Sequence, residues 1–173
     1  MSQPVRIAVP AGSLVLLIGP SGSGKTTFAA EHFPRTHVLG SDEMRAIVAD
    51  DPNDQAATEA AFELLHTALR LRLAGRRTTA VDATNVERWA REGLLAIARR
   101  FGRPALAVVL ALPLEVCLSR NAARVDRRPV AAIRRQHRVM CGSLATLPDE
   151  GFSAVHILES EEQVRATRVE TTA

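Results

Sequence analysis

The sequence predicts an α/β fold, a parallel β-sheet sandwiched by helices. Three observations carry that prediction. Short apolar runs rich in β-branched residues alternate with helical patterns along the chain, the order that builds parallel sheets. The middle runs, such as "SLVLLIG" (13–19) and "PALAVVLALP" (104–113), are apolar nearly throughout instead of alternating, as strands covered on both faces are. A Gly/Ser-rich stretch, "GPSGSGKT" (19–26), joins the first of these runs to a helical segment.

Taken in order, "RIAVP" (6–10) reads as a short edge strand, set off from the next by Ala11-Gly12. Strands follow at 13–19, at 37–42 ("HVLGSD"), at 77–84 ("RTTAVDAT"), at 104–113 and at 154–158 ("AVHIL"). Helices are expected from Thr26 to His32, from Glu43 to Ala49, and from Asp54 to Ala74, the last ended by Gly75. Further helices are expected over 87–101, 114–123 and 130–145, with a final one over 161–169 capped by Ser160. No repeat, low-complexity tract or long linker interrupts this series, so one domain is expected over residues 1–173.

Composition narrows the class. The chain is 46% hydrophobic and 24% charged, as soluble globular proteins are. No apolar run reaches the roughly 18 residues of a membrane-spanning helix, and "MSQPVRIAVP" lacks a signal peptide's pattern. A cytoplasmic location is therefore expected, with no membrane partner. Cys117 and Cys141 form no CxxC pair, which argues against zinc and disulfide frameworks. Both fall in apolar helical stretches and are expected to be buried, reduced thiols. The net charge is +3, carried by 21 arginines and one lysine, Lys25. Seven arginines fall within 120–138, a candidate polyanion-binding surface.

The lone lysine lies in "GPSGSGKT", which matches the phosphate-loop pattern G-x-x-x-x-G-K-[ST]. A predicted strand precedes it and a predicted helix follows, the context that gives the pattern meaning. Glycines let successive N–H groups turn inward around a phosphate, and the helix N-terminus adds its positive end. Lys25 is expected between β- and γ-phosphate oxygens, where a compact ammonium fits and a broad guanidinium does not. Thr26 is expected to place its hydroxyl on Mg²⁺.

A phosphate loop alone leaves the reaction open. Asp42, at the expected end of the second strand, belongs beside the nucleotide phosphates, because ligands gather beyond the carboxyl ends of parallel strands. There it reads as a general base for an attacking hydroxyl, the alternative being an N-cap for 43–49. Arg45 projects from the same helix face. It suits either an acceptor phosphate or plain solvent. Asp82 ends the third predicted strand, where it is expected to support magnesium from behind the direct ligands, with Thr84 and Asn85 in reach of the cleft. Asn85 reads better as the cap of the helix beginning near Glu87.

Arg120, Arg124 and Arg127 are spaced i, i+4, i+7. If helical they stack three cations on one face, which makes sense when an anion arrives between them. The alternative is an exposed basic helix. Arg127-Arg128-Pro129 would break that helix as the turn of a flap covering about 120–138. His66 reads as a packing residue, and "ADDPNDQ" (49–55) as turn and capping chemistry.

With these residues in hand, the sequence resembles the kinase module of the bacterial end-healing polynucleotide kinase family, related more distantly to phage polynucleotide kinase. The matching blocks are "GPSGSGKTTFAAEHF", "SDEMRAIVADDPNDQAAT", "AAFELLHTALRLRLAGRRTTAVDATNV", "VVLALPLEVCLSRNAARVDR" and "GFSAVHIL". The resemblance implies a P-loop kinase fold, ATP and Mg²⁺ as cofactors, and a 5′-OH end of RNA or DNA as acceptor. It implies that Lys25 contacts the triphosphate and Thr26 binds Mg²⁺, within the loop that the motif itself builds from Gly19, Ser21, Gly22, Ser23, Gly24, Lys25, Thr26 and Thr27, while Asp82 is placed near the metal by its strand-end position alone. Asp42 would then activate the 5′-hydroxyl, Arg45 hold the neighbouring phosphate, and Arg120 and Arg124 act as lid arginines on the ATP phosphates. In that family the module often precedes a phosphatase and a ligase. With its only lysine committed to the loop, this sequence has none for a ligase nucleophile. Separate phosphatase and ligase proteins are the expected partners.

Two other functions compete with this one. A P-loop kinase for a small metabolite or antibiotic would not need Arg45 or the basic 120–138 stretch. An NTP-binding module without transfer would not need Asp42. Aromatics make up 3% of the chain and tyrosine is absent. A base-stacking platform is therefore not expected, and acceptor binding should rest on phosphate contacts.

Overall fold

The computed structural model describes residues 5–172. The elements run β1 (Arg6–Pro10), β2 (Leu14–Ile18), α1 (Lys25–His32), β3 (Val38–Gly40), α2 (Ser41–Ala49), α3 (Thr58–Ala74) and β4 (Thr79–Asp82). There follow α4 (Arg88–Arg100), β5 (Ala105–Leu110), α5 (Leu114–Ala122), α6 (Val130–Ser143), β6 (Ala154–Leu158), α7 (Glu161–Ala166) and β7 (Arg168–Thr172). Five strands form one parallel sheet in the order β3-β4-β2-β5-β6. The expected α/β sandwich is the observed fold.

The alternation of side chains along a strand divides the core in two. Leu14, Leu16 and Ile18 face one side of the sheet, with Leu65, Leu69 and Leu73 of α3 and Leu94 and Leu95 of α4 in the same cluster. Val15 and Leu17 belong to the other, with Phe28 and Phe33 around α1 and Ile7 and Val9 of β1. Every residue of β2 and β5 is buried, which is why both read as unbroken apolar runs. α3 buries Ala61, Leu65, Leu69 and Leu73, a stripe at every fourth position. Truncating one of these leucines to alanine costs about 2–5 kcal/mol.

A buried ion pair braces the loop after β4. Arg91 is fully buried and meets Glu150 through two hydrogen bonds of 2.7 and 2.6 Å. Its remaining donor reaches the carbonyls of Asn85 and Val86 at 3.0 and 2.7 Å. Removing one partner of such a pair costs roughly 3–5 kcal/mol, because the other is left charged and buried.

Several elements differ from the sequence reading. The strand expected at 37–42 is only Val38–Gly40, and the helix expected from Asp54 begins at Thr58. Asp51 and Asp54 accept hydrogen bonds from the N–H groups of Asn53 and Ala56, both at 2.8 Å. That is the turn chemistry expected of the 49–55 cluster. The helix expected over 161–169 stops at Ala166. Thr167 takes up an extended backbone and folds its hydroxyl back to the Gln163 carbonyl at 2.7 Å. The chain continues as β7, parallel to β1 in a separate two-stranded sheet. β1 therefore pairs with β7, not with the main sheet.

Cys117 is buried as expected, but Cys141 is exposed. α6 turns Ile133 and Met140, seven residues apart, towards the core. Cys141 lies one step around the helix, 3.7 Å from Nδ1 of His137. Among the described residues no helix is long and apolar enough to cross a membrane.

Candidate active site

Strand register assembles the site. Gly40 and Leu17 both pair with Asp82, so β3, β2 and β4 end nearly level. The segments leaving them, 19–26, 41–45 and 83–87, line one cleft of about 1780 Å³ together with parts of 120–136.

The loop between β2 and α1 owes its shape to glycine. Gly22 and Gly24 have φ of +83° and +95°, and a Cβ at Gly22 would overlap the Cys117 carbonyl. A Cβ at Gly24 would lie 2.9 Å from Nη1 of Arg120. Ser21, Gly22, Gly24, Lys25, Thr26 and Thr27 face the cleft. Gly19 and Ser23 lie behind this wall: Ser23 is fully buried, and Gly19 donates its N–H to the Thr84 carbonyl at 3.0 Å. These two shape the loop from behind. α1 has no capping side chain and no acidic residue in its first turn, so its N-terminal N–H groups suit an anion.

Lys25 curls back over the loop, with Nζ donating to the Pro20 carbonyl at 2.9 Å and lying 3.5 Å from Oγ of Ser23. Burial lowers its pKa from 10.5 to about 8, against the pull of Asp82, Cys117 and Asp42, with Arg124 adding to the lowering. Beside it, the Thr26 hydroxyl donates to Oδ2 of Asp82 at 2.7 Å. Two hard oxygen donors thus converge next to the loop, chemistry of the kind that fits Mg²⁺.

Asp42 is not the cap of its helix. α2 begins at Ser41 with Gly40 as its N-cap, which leaves Asp42 in the first turn, where the helix dipole favours a carboxylate. Its oxygens take Nη1 of Arg45 at 2.6 Å and Nη2 of Arg128 at 2.9 Å, and its side chain is still 51% exposed to the cleft. Arg45 is buried and also donates from Nε to the Thr58 hydroxyl at 3.3 Å. It is a fixed group, which excludes the solvated-arginine alternative.

The arginine stack is corrected by the structure. α5 ends at Ala122, so only Arg120 of the three is helical. Asn121 ends that run by clamping both backbone groups of Arg128, at 2.9 and 2.8 Å, which folds the intervening loop back on itself. Arg120 bonds the Ser23 carbonyl at 3.1 Å and Glu161 at 2.8 Å. Arg124 and Arg127 are exposed on the loop and line the same cleft.

Asn85 is corrected too. Glu87 is the N-cap of α4. Asn85 instead has φ of +49°, is buried, and donates from Nδ2 to the Leu17 carbonyl at 2.8 Å, leaving Oδ1 without a hydrogen-bond partner among the described residues. The sequence reading gave Arg128 only the turn of the flap, whereas it bonds Asp42, and it missed Gln136 and Glu161. Gln136 of α6 accepts the Ser21 N–H at 2.9 Å. Its one sequence signal is a neutral amide amid the arginines of "RRQHR".

Sheet, loop and cleft together define a P-loop kinase-like protein. A family model described as an AAA domain matches residues 14–147, and the chain belongs to that family. The sequence matches no curated protein. Among solved structures, a chain of the Pnkp1/Rnl/Hen1 RNA repair complex is 20% identical at a TM-score of 0.67, covering 85% of this chain and 47% of that one. This chain thus spans about half the length of that relative. A gluconokinase from Sinorhizobium meliloti is 17% identical at a TM-score of 0.56, with 91% and 90% covered. AvrRxo1-ORF1:-ORF2 with ATP is 14% identical at a TM-score of 0.69, with 90% and 56% covered. At these identities the likeness is one of fold.

Proposed function

We propose that the protein is an ATP- and Mg²⁺-dependent kinase that transfers the γ-phosphate to a 5′-hydroxyl end of RNA or DNA. The carrying observation is the Asp42–Arg45 pair on the wall of the cleft that holds the phosphate loop. A carboxylate able to take a hydroxyl's proton stands there beside a fixed guanidinium able to take the acceptor's own phosphate. The resemblance of the sequence blocks to end-healing kinases supports the same acceptor.

In this reading Lys25 Nζ exchanges the Pro20 carbonyl for phosphate oxygens, and the α1 N-terminus binds the same group. Thr26 and Asp82 hold Mg²⁺, which when bound neutralises charge on the transferring phosphoryl group. One Asp42 oxygen accepts the 5′-hydroxyl proton as the hydroxyl oxygen attacks the γ-phosphorus and the bond from that phosphorus to the bridging oxygen breaks, releasing ADP; a carboxylate has lone pairs to spare beyond its two arginine bonds. Arg120 and Arg124 face the donor phosphates as lid arginines, within a lid over about 120–138. Removal of 3′-phosphates and strand sealing belong to other catalytic centres.

The direct test gives labelled ATP to the protein with 5′-OH RNA, 5′-OH DNA and a panel of small alcohols. Label on an oligonucleotide is expected. Label on a small alcohol alone overturns this reading in favour of a metabolite or antibiotic kinase, and no transfer at all favours a binding module.

ATP binding should also depend on pH in one direction. Free Lys25 loses its proton as pH rises through about 8, whereas a bound triphosphate holds the ammonium form. Affinity is therefore expected to fall above pH 8, by up to about tenfold per unit, with proton uptake on binding. Calorimetry in two buffers of different ionisation enthalpy checks this; a flat profile from pH 7 to 9.5 contradicts it.

A further inference from the structure

The largest exposed ring on the molecule is unexplained by the mechanism above. Trp89, the only tryptophan of the chain, is 73% exposed in the first turn of α4. It shares a second cleft of about 750 Å³ with Phe62 and His66 of α3. Phe62 and His66 lie one helical turn apart, with their rings edge to face at 6.2 Å. Burial, with Arg70 adding to it, lowers the His66 pKa, so its ring is neutral near pH 7.

Position and charge narrow what this shelf takes. It opens directly off the main cleft, since Thr58, Phe62 and Trp89 line both. Thr58 is the residue that receives Nε of Arg45 at 3.3 Å. The shelf thus begins one side chain away from the guanidinium assigned to the acceptor's phosphate. Its charged neighbours are Glu59, Glu63 and Arg70, two anions against one cation. A phosphate backbone would be repelled there, while the arginines 120, 124, 127 and 128 all lie on the main cleft. What suits an exposed indole flanked by carboxylates is a flat, uncharged ring with polar edges.

We infer that the Trp89 shelf is the binding site for a nucleobase at the acceptor's 5′ end, stacked on the indole. The inference rests on the polynucleotide reading. One ring serves one or two bases, so a chain poor in aromatics can still hold the end of a strand. Stacking on a π face is tolerant of base identity, which gives a kinase grip on any sequence.

The single tryptophan makes the test clean. Titration of the ATP-free protein with a 5′-OH oligonucleotide is expected to quench its emission. The same oligonucleotide made abasic at its first two positions keeps every phosphate and should leave the emission near its starting value. In steady-state transfer, Trp89→Ala is expected to raise the oligonucleotide KM about tenfold or more, with kcat falling much less and the ATP KM little changed; Trp89→Phe should restore most of the loss. Equal quenching by intact and abasic strands, or transfer by Trp89→Ala with a wild-type KM, overturns the shelf while leaving the kinase reading intact. A wild-type protein that labels no oligonucleotide removes both. Should Trp89→Ala fail to fold, the abasic comparison on the wild-type protein decides alone.

Discussion

Replacing Asp42 by asparagine is expected to cut transfer to a 5′-OH end by about 10²- to 10⁴-fold while ATP still binds. The substitution keeps the shape of the side chain and removes the charge proposed to accept the hydroxyl proton. Asp42 stands off the phosphate loop, two residues past the end of β3. Its bonds run to Arg45 and Arg128, not to the loop backbone. Asparagine keeps a side-chain oxygen that can accept from the buried Arg45, which also retains its bond to Thr58, so the fold is expected to survive the change. Nucleotide binding measured on the same preparation separates lost chemistry from lost fold. Transfer near the wild-type rate would falsify the base assignment.

The second large effect belongs to the lone lysine. Lys25→Arg is expected to lower transfer by at least about 10²-fold and, unlike the Asp42 change, to weaken ATP binding as well. Shape and charge act together here. Lys25 is 8% exposed, and its ammonium fits between the Pro20 carbonyl and Ser23. A guanidinium is wider than that space. It also keeps its charge at any working pH, whereas Lys25 eases the strain of burial through a pKa near 8. Lys25→Met removes the charge without added bulk, and should be equally inactive yet melt no lower than the wild type. An active Lys25→Arg protein would show that the loop reads charge alone.

How much of this was legible in the sequence follows from where each constraint lies. The phosphate loop was readable because its contacts are local: two left-handed glycines, a buried serine and a helix start within eight residues. Asp82 was readable because parallel register brings strand ends together, and its bond to Thr26 spans elements whose order the apolar runs already imply. The arginine stack failed because periodicity says nothing of where a helix stops, and the Asn121 clamp on Arg128 stops it at Ala122. β7 stayed hidden since "EEQVRATRVE" is good helix composition, and only pairing with β1 makes its second half a strand. Arg128, Gln136 and Glu161 act on residues 86, 115 and 41 positions away. Such pairings exist only once the chain has folded.

Trp89 shows the limit of composition. A low aromatic count argues against a row of stacked bases, yet it does not say where the one tryptophan sits. Exposed and lining both clefts, that single ring is enough for the base contact proposed above.

The central claim is that the acceptor carries phosphate of its own and that Arg45 reads it. Transfer rates for a nucleoside and for the same nucleoside bearing a 3′-phosphate, measured side by side, test that claim most directly. The phosphate-bearing acceptor is expected to be used at least about a hundredfold better in kcat/KM, as loss of a charge-assisted contact of about 3 kcal/mol implies, and Arg45→Ala should erase most of that preference. Equal use of the two acceptors, or a preference that survives Arg45→Ala, would contradict it.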